Sequence, residues 1–171
     1  MSLNKALVQW DGKSKDKVIE IYHRFYQGRE FIAQLLKLAS DETTQVGATW
    51  LLKHHLENNP RSVIDEKVFF ELLFSVSQSE SKLQLLQCLP YVSISKAHKK
   101  PLEICLKQAL SDDNKVVRAW AFNGFNELAL SHQEYRKKAD AILVDALEQE
   151  SASVKVRVRN IIKELAILER D

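Results

Sequence analysis

The chain has 171 residues, of which 45% are apolar and 28% charged, and a formal net charge of +2. A chain of this length can bury a core without disulfide or metal support, and its charge is too small to indicate a polyanionic partner by itself. Only four Gly and three Pro are present, which argues against a turn-rich β protein and favours long helices joined by short polar turns.

Three features bear on the compartment. Cys88 and Cys105 lack CxxC spacing, which predicts a reducing environment and no disulfide framework. Residues 1–11 have neither the basic nor the apolar region of a signal peptide. The uncharged stretch 83–95 is too short to span a bilayer. We therefore expect a cytoplasmic protein that has no membrane partner.

Helical periodicity begins in a region of N-terminal capping helices, predicted over residues 1–28. Apolar side chains recur there at i, i+3, i+4 and i+7, namely at Val18, Ile21, Tyr22 and Phe25. Gly28 then stops the helix, and the pattern resumes at Phe31 in a second helix. A third helix runs to about Asn58 and is followed by Pro60, as expected after a helix end.

An internal repeat accounts for most of the remaining pattern. Apolar positions align at offsets of 37, 34 and 37 residues, and one such column holds Val46, Leu83, Val117 and Val154. A second column holds Leu35, Leu72, Leu106 and Leu143. Each repeat therefore combines a short A helix, a polar turn and a longer B helix. The predicted repeats span about residues 29–58, 64–94, 100–131 and 134–169.

Stacked helical pairs bury a continuous core that one pair cannot bury alone. The sequence thus predicts an all-α fold, an α-α superhelix (solenoid) of about four helical hairpins plus an N-terminal helix, in a single domain over residues 1–171. Pro90 lies inside the second B helix and is predicted to end or kink it. Residues 154–159 alternate like a strand, but the repeat alignment favours a helix there.

Local signals add detail at the turns and at one histidine pair. Residues 77–80 have capping-box spacing, and residues 111–114 are rich in N-cap residues. His54 falls in a core column and is predicted to be packed. His55 is predicted to face solvent or the B-helix ridge, the surface formed by neighbouring B helices.

The repeat beginning at Leu102 resembles a HEAT repeat. That pattern has an apolar A helix, a turn with Asp, then Val-Arg and an Ala-rich B helix, here Leu106, Ala109, Leu110, Asp112, Val117, Arg118, Ala119 and Ala121. Other repeats depart from it, since Gly47 and Lys155 stand at the Arg position. The resemblance covers about residues 31–168. It implies a solenoid whose B-helix ridge binds a partner.

Signatures of catalysis and of cofactor binding are missing from the sequence. It contains no GxxxxGK[ST] or GxGxxG loop, no HExxH and no Cys or His spacing typical of zinc sites. We therefore expect a non-enzymatic interaction module with no metal and no cofactor.

One basic stripe on the last B helix indicates where a partner would bind. Lys155, Arg159 and Lys163 follow i, i+4, i+8, and no acid occurs between Ser151 and Lys163. The predicted partner-binding residues are Arg118, Asn123, Asn126, Lys155, Arg159 and Lys163. The expected partner is a protein, and the stripe suits an acidic one or, alternatively, nucleic acid. A solvated helix face is the remaining interpretation.

Two alternatives remain open. Alkylation-repair DNA glycosylases are built on similar HEAT-like repeats, which implies a basic concave face with an aromatic pair and a carboxylate. Trp120 with Asp112 or Asp113 would be the candidates, although no family motif matches residue by residue. The last helix also has apolar residues on more than one face, namely Ile161, Ile162, Leu165, Ile167 and Leu168. Either Ile161 or Ile167 is exposed, or this end forms a homodimer through the C-terminal helix.

Overall fold

The computed structural model describes residues 1–168, whose regular secondary structure is entirely helical and includes no strand. The prediction of an all-α chain is therefore confirmed, and the strand alternative for residues 154–159 is wrong. The helices are α1 (Leu3–Val8), α2 (Lys15–Phe25), α3 (Phe31–Leu38), α4 (Gln45–Asn58), α5 (Glu66–Ser75), α6 (Ser79–Cys88), α7 (Lys99–Ala109), α8 (Lys115–Ser131), α9 (Arg136–Gln149) and α10 (Ala152–Leu168). Short 3-10 turns cover Leu89–Tyr91 and Gln133–Tyr135.

The helices group into two compact units, the first over Met1–Val92 and the second from Ser93 onwards. In the first unit α3 packs on α4 and α5 on α6, so that each pair forms a hairpin. The two hairpins also pack on each other, α3 against α5 and α4 against α6. Their core contains the fully buried side chains Leu35, Leu51, Leu52, Leu56, Phe69, Phe70, Leu73, Leu85, Leu86 and Leu89.

In the first unit, helix α1 explains one departure from the HEAT pattern. A Cβ atom at Gly47 would lie 2.8 Å from Leu7 Cδ2 and 3.1 Å from Cε3 of the Trp10 ring. Real Cβ atoms do not approach other atoms so closely, because packed interiors leave no such overlap. An arginine at position 47 therefore has no room, since the N-terminal segment occupies that space.

The second unit is built from the hairpins α7–α8 and α9–α10. Helix α8 contacts α7, α9 and α10, and α9 contacts α10. One buried cluster joins α8 to the last hairpin and comprises Ala119, Phe122, Leu143, Ala146, Val154, Val158 and Ile161. Ile161 is thus buried and Ile167 is exposed, which answers the question that the sequence left open for these two residues.

Of the turn signals predicted from the sequence, the helix end at Pro90 and the N-cap before α8 are confirmed, and the capping box is wrong. Pro90 ends the B helix as predicted, because α6 stops at Cys88 and a 3-10 turn containing the proline follows. Asn114 caps α8 by accepting a hydrogen bond from the Val116 amide at 2.9 Å. The predicted capping box at residues 77–80 is not formed. Gln78 occupies the N-cap position of α6 without a side-chain cap, and its Nε2 donates instead to the Glu42 carbonyl at 3.2 Å.

Candidate functional site

The three basic residues predicted on α10 lie in different surroundings. Lys155 Nζ donates to the backbone carbonyl of Glu148 at 3.2 Å, which ties the start of α10 to the end of α9. Arg159 and Lys163 are exposed, and within residues 1–168 neither forms an ion pair. Arg159 and Lys163 therefore keep their charge available, whereas Lys155 is partly used inside the hairpin.

Arg118 makes an internal ion pair. Its Nε and Nη2 donate to the two carboxylate oxygens of Glu150 at 3.0 and 3.2 Å. Its Nη1 donates to the backbone carbonyls of Asp112 and Asp113 at 2.8 and 3.3 Å. The hydrogen bonds to Glu150 raise the pKa of Arg118. Arg118 thus joins the start of α8 to Glu150, the C-cap residue of α9, and a partner would have to compete with these bonds.

Asn123 and Asn126 are buried and hydrogen-bonded within the second unit. The Oδ1 atom of Asn123 accepts from Arg157 Nη2 at 2.7 Å, and that of Asn126 accepts from Arg136 Nη1 at 3.0 Å. Buried amides need such partners, because an unpaired polar group in the interior is costly. The two asparagines therefore position arginine side chains, and little of either amide reaches the surface.

Arg157 and Trp120 form a contact that the sequence analysis missed. The Arg157 guanidinium carbon lies 4.0 Å from the centroid of the Trp120 ring, a cation–π geometry. Arg157 Nε and Asn123 Nδ2 are buried N–H donors with no acceptor in the structure. Trp120 and Arg157 are separated by 37 residues, so the repeat alignment places them in one column. That shared column was the signal available to find the pair.

A groove of about 230 Å³ lies beside this pair between α8 and α10. It is lined by Lys115, Val116, Ala119, Trp120, Ser153, Val154, Val156, Arg157 and Asn160. Val116 and Val156 are 49% and 54% exposed, so apolar surface faces solvent, with Lys115 and Arg157 beside it. An apolar side chain flanked by carboxylates would match both features.

Trp120, Asn123 and Glu127 follow i, i+3, i+7 along one face of α8, and Arg157, Asn160 and Glu164 do so along α10. We call the surface formed by these six residues and the groove the α8–α10 ridge. Burial raises the pKa of Glu127, and Glu164 raises it further, while Arg157 opposes the shift. The ridge is therefore cationic and aromatic at the Trp120 end and acidic at the Glu127 end. A shifted carboxyl group beside a cation is a common property of functional sites.

The candidates for a glycosylase-like site do not come together around Trp120. The ring is covered by Arg157, so its neighbour is a cation in place of the second aromatic side chain of an aromatic pair. Asp112 lies before α8, where its carboxylate accepts from the Asn114 amide at 2.9 Å. Its carbonyl, like that of Asp113, is held by Arg118. The carboxyl group on the Trp120 face of α8 belongs to Glu127 instead.

The prediction that His54 is packed is confirmed, since its ring stacks on Trp50 and meets Tyr22 edge-on. The prediction that His55 faces solvent or the B-helix ridge is wrong, since His55 is buried. Neighbouring helix positions are about 100° apart, and the packed side of a helix can be at least that wide, so both rings pack. His55 Nδ1 lies 3.2 Å from Tyr22 Oη, and its Nε2 lies 3.2 Å from Ser62 Oγ. Burial lowers the pKa of His55, so its imidazole is neutral near pH 7.

The tautomer of His55 decides whether Ser62 is an activated nucleophile. Tyr22 Oη accepts from Asn59 Nδ2 at 3.2 Å, and the same Nδ2 donates to the His55 carbonyl at 3.0 Å. Donation from Tyr22 to Nδ1 gives the phenol proton an acceptor, and in that tautomer Nε2 carries the ring proton towards Ser62. In this tautomer His55 cannot take the Ser62 proton, which a catalytic dyad requires. The pair is consistent with a structural role.

A second cavity, of about 600 Å³, lies beside His55 in the first unit. Phe31 and Leu36 give it apolar walls, while Arg29, Lys37 and Asp65 bring charges of both signs to it. None of the partner-binding residues predicted from the sequence lines this cavity. Within residues 1–168 no group of His, Cys, Asp and Glu is arranged to hold a metal ion. No helix in this range is long and apolar enough to cross a membrane.

No protein family, curated protein or solved structure matches the chain. The resemblance to HEAT repeats consequently depends on the residues named above, and the functional argument depends on the geometry of the ridge.

Proposed function

We propose that the chain is a non-enzymatic interaction module of HEAT-like helical hairpins, and that its α8–α10 ridge binds an acidic protein segment. The observation that carries this proposal is the groove in which the exposed Val116 and Val156 lie beside Lys115 and Arg157. The packing of hairpin on hairpin in each unit supports the repeat architecture, and we propose a solenoid arrangement on this basis.

The chemistry of the ridge favours a partner with both apolar and acidic side chains. The groove takes an apolar side chain, and a carboxylate beside that side chain can pair with Lys115 and Arg157, which line the groove. Arg159 and Lys163, which form no ion pair within residues 1–168, lie on the same helix and add positive charge that attracts an acidic segment. Arg118, Asn123 and Asn126 hold the ridge in shape from inside. Within residues 1–168 neither cysteine forms a disulfide and Cys88 is buried, so the proposed location is the cytoplasm.

A labelled peptide in which Leu alternates with Glu tests the proposal by fluorescence anisotropy. We expect this peptide to bind, and a peptide with Gln for Glu to bind more weakly. The double substitution Arg159→Glu with Lys163→Glu should abolish binding. The matched control Lys96→Glu with Lys100→Glu makes the same charge change at two exposed positions of the second unit and should bind as the parent does. Equal losses in both variants would refute a specific site on α10.

Nucleic-acid binding is the second candidate, favoured by the absence of acidic residues between Ser151 and Lys163. Random-sequence duplex DNA in the same assay, over a salt series, tests it. If Lys155, Arg159 and Lys163 each neutralise one phosphate, the log–log salt slope should be about −2.7. The protein partner is favoured because the exposed Val116 and Val156 in the groove suit an apolar side chain, which a phosphate backbone does not offer. A steep slope for DNA with no peptide binding would reverse that preference and justify a glycosylase assay.

A further inference from the structure

The α9–α10 hairpin exposes apolar side chains between an acidic and a basic edge. We call this surface the outer face, and it comprises Asp140, Val144 and Glu148 on α9 and Lys155, Arg159 and Ile162 on α10. Val144 and Ile162 are 60% and 36% exposed. A groove of about 300 Å³ runs between the two helices, with Leu165 and Ala166 in its lining. Apolar side chains exposed together in a groove commonly mark an interface.

The outer face points away from α8. Arg157 reaches back to α8, where it contacts Trp120 and Asn123. Ile162 follows Arg157 by five positions, which is a rotation of about 140° around the helix axis. The side chains that pack against α8 from this hairpin include Leu143, Val158 and Ile161. The outer face is therefore separate from both the buried cluster and the groove of the α8–α10 ridge.

The two edges of the outer face carry opposite charges at the same level. Lys155 Nζ bonds to the Glu148 carbonyl, so the basic start of α10 lies beside the acidic end of α9. Glu148 and Arg159 are exposed, and within residues 1–168 neither side chain forms an ion pair. Asp140 adds a second carboxylate on α9, paired with Arg136 on its own helix. Glu148 thus places an acidic charge beside the basic start of α10, while the exposed Lys137, seven positions before Val144, lies at the far end of α9.

We propose that the outer face binds the outer face of a second copy of this chain. A two-fold axis parallel to the helices places α9 of one copy opposite α10 of the other. Rotation about such an axis does not change the position of a residue along the helix direction. Glu148 of one copy therefore meets Lys155 and Arg159 of the other, and symmetry forms this contact twice in the dimer. Val144 and Ile162 of both copies fill the space around the axis. A single self-complementary surface therefore pairs the acidic charge of each copy with the basic charges of the other and covers the apolar groove.

The size of the outer face sets the strength of this dimer. Helices of 14 and 17 residues span about 21 and 25 Å, and two side by side are about 20 Å wide. The footprint is therefore about 450 Å² per copy, against roughly 800 Å² for a standard stable interface. We infer a weak dimer that forms at high protein concentration and weakens with added salt, because salt screens the exposed charges.

Sedimentation equilibrium over a wide concentration range tests this inference. At low salt the mass should rise from 19.7 kDa towards twice that value, and added salt should lower it. Two charge variants then test the geometry: Glu148→Lys makes both edges basic, and Lys155→Glu with Arg159→Glu makes both edges acidic. Each variant alone should remain a monomer, and an equimolar mixture of the two should associate. A purely structural role for these residues would not restore association in the mixture.

Matched controls separate the dimer from the proposed peptide site. Ile162→Ser should lower self-association, whereas Ile104→Ser, at another exposed isoleucine of the second unit, should leave it unchanged. Val156→Asp lies in the ridge groove and off the outer face, so it should abolish peptide binding and preserve the dimer. A monomer mass at every concentration in low salt would overturn the proposal. Charge variants that self-associate as strongly as the parent would overturn it as well.

Discussion

The ion pair between Arg118 and Glu150 gives the sharpest test of how the second unit is held together. Arg118→Met keeps the aliphatic stem and removes all four hydrogen bonds that the guanidinium makes. The side chains of the pair are 19% and 15% exposed, so the pair is intermediate between a surface pair and a buried pair. A surface pair contributes about 0–1 kcal/mol, and disrupting a buried pair costs about 3–5 kcal/mol. We expect a loss of about 2 kcal/mol in the free energy of unfolding. For a chain of this length that lowers Tm by about 4–8 °C.

Urea unfolding followed by circular dichroism measures this loss. A double-mutant cycle with Glu150→Gln isolates the pair, and we expect a coupling energy of about 1–2 kcal/mol. Arg118→Lys, which keeps the charge but cannot form the two-pronged contact, should recover only part of the loss. A stability of Arg118→Met within about 0.5 kcal/mol of the parent would refute the reasoning. Additive effects of the two substitutions would show that the contact contributes nothing as a pair.

Contacts inside the first unit lead to three more expectations. Burial lowers the pKa of His55 in the folded state. The contribution of His55 to stability is therefore complete above about pH 6.5 and is lost as the pH falls below that value through the lower folded pKa. Urea unfolding across this range should show the free energy of unfolding decline with falling pH, and the decline should be smaller in His55→Gln. Thr49→Val removes the hydroxyl that bonds to the buried Gln84 side chain and should cost about 1–3 kcal/mol in the same assay. Gly47→Val pushes against Leu7 and should cost about 1–3 kcal/mol, with faster proteolysis of α1 as its direct readout.

Helix positions were predictable from the sequence because periodicity and Gly or Pro punctuation act locally. Helix α6, for example, ends two residues before Pro90, because proline has no backbone N–H and its ring clashes with the preceding helical turn. Gly47 shows the limit. The resemblance marks it as a departure from the HEAT pattern, but only the packed α1 reveals that Leu7 and Trp10 exclude a longer side chain.

The candidate site was predicted less well because it depends on side-chain partners from distant segments. The sequence predicts that Arg118 is free to bind a partner, but Glu150, 32 positions later in the chain, forms an ion pair with it. Asn123 reads as a surface amide, yet it is buried against Arg157. The Trp120–Arg157 contact was available in the repeat alignment, since both residues occupy one column. Periodicity identifies which residues share a face, and the packing of neighbouring helices decides whether that face meets solvent.

Mapping the peptide by nuclear magnetic resonance tests the central claim most directly. The Leu–Glu peptide is titrated into isotopically labelled protein, and the shifts of backbone amides and of the Trp120 indole are followed. We expect the largest changes at Trp120, Val116, Val156 and Asn160, all in the groove of the α8–α10 ridge. Changes confined to the cavity beside His55 in the first unit, or no changes at all, would contradict it.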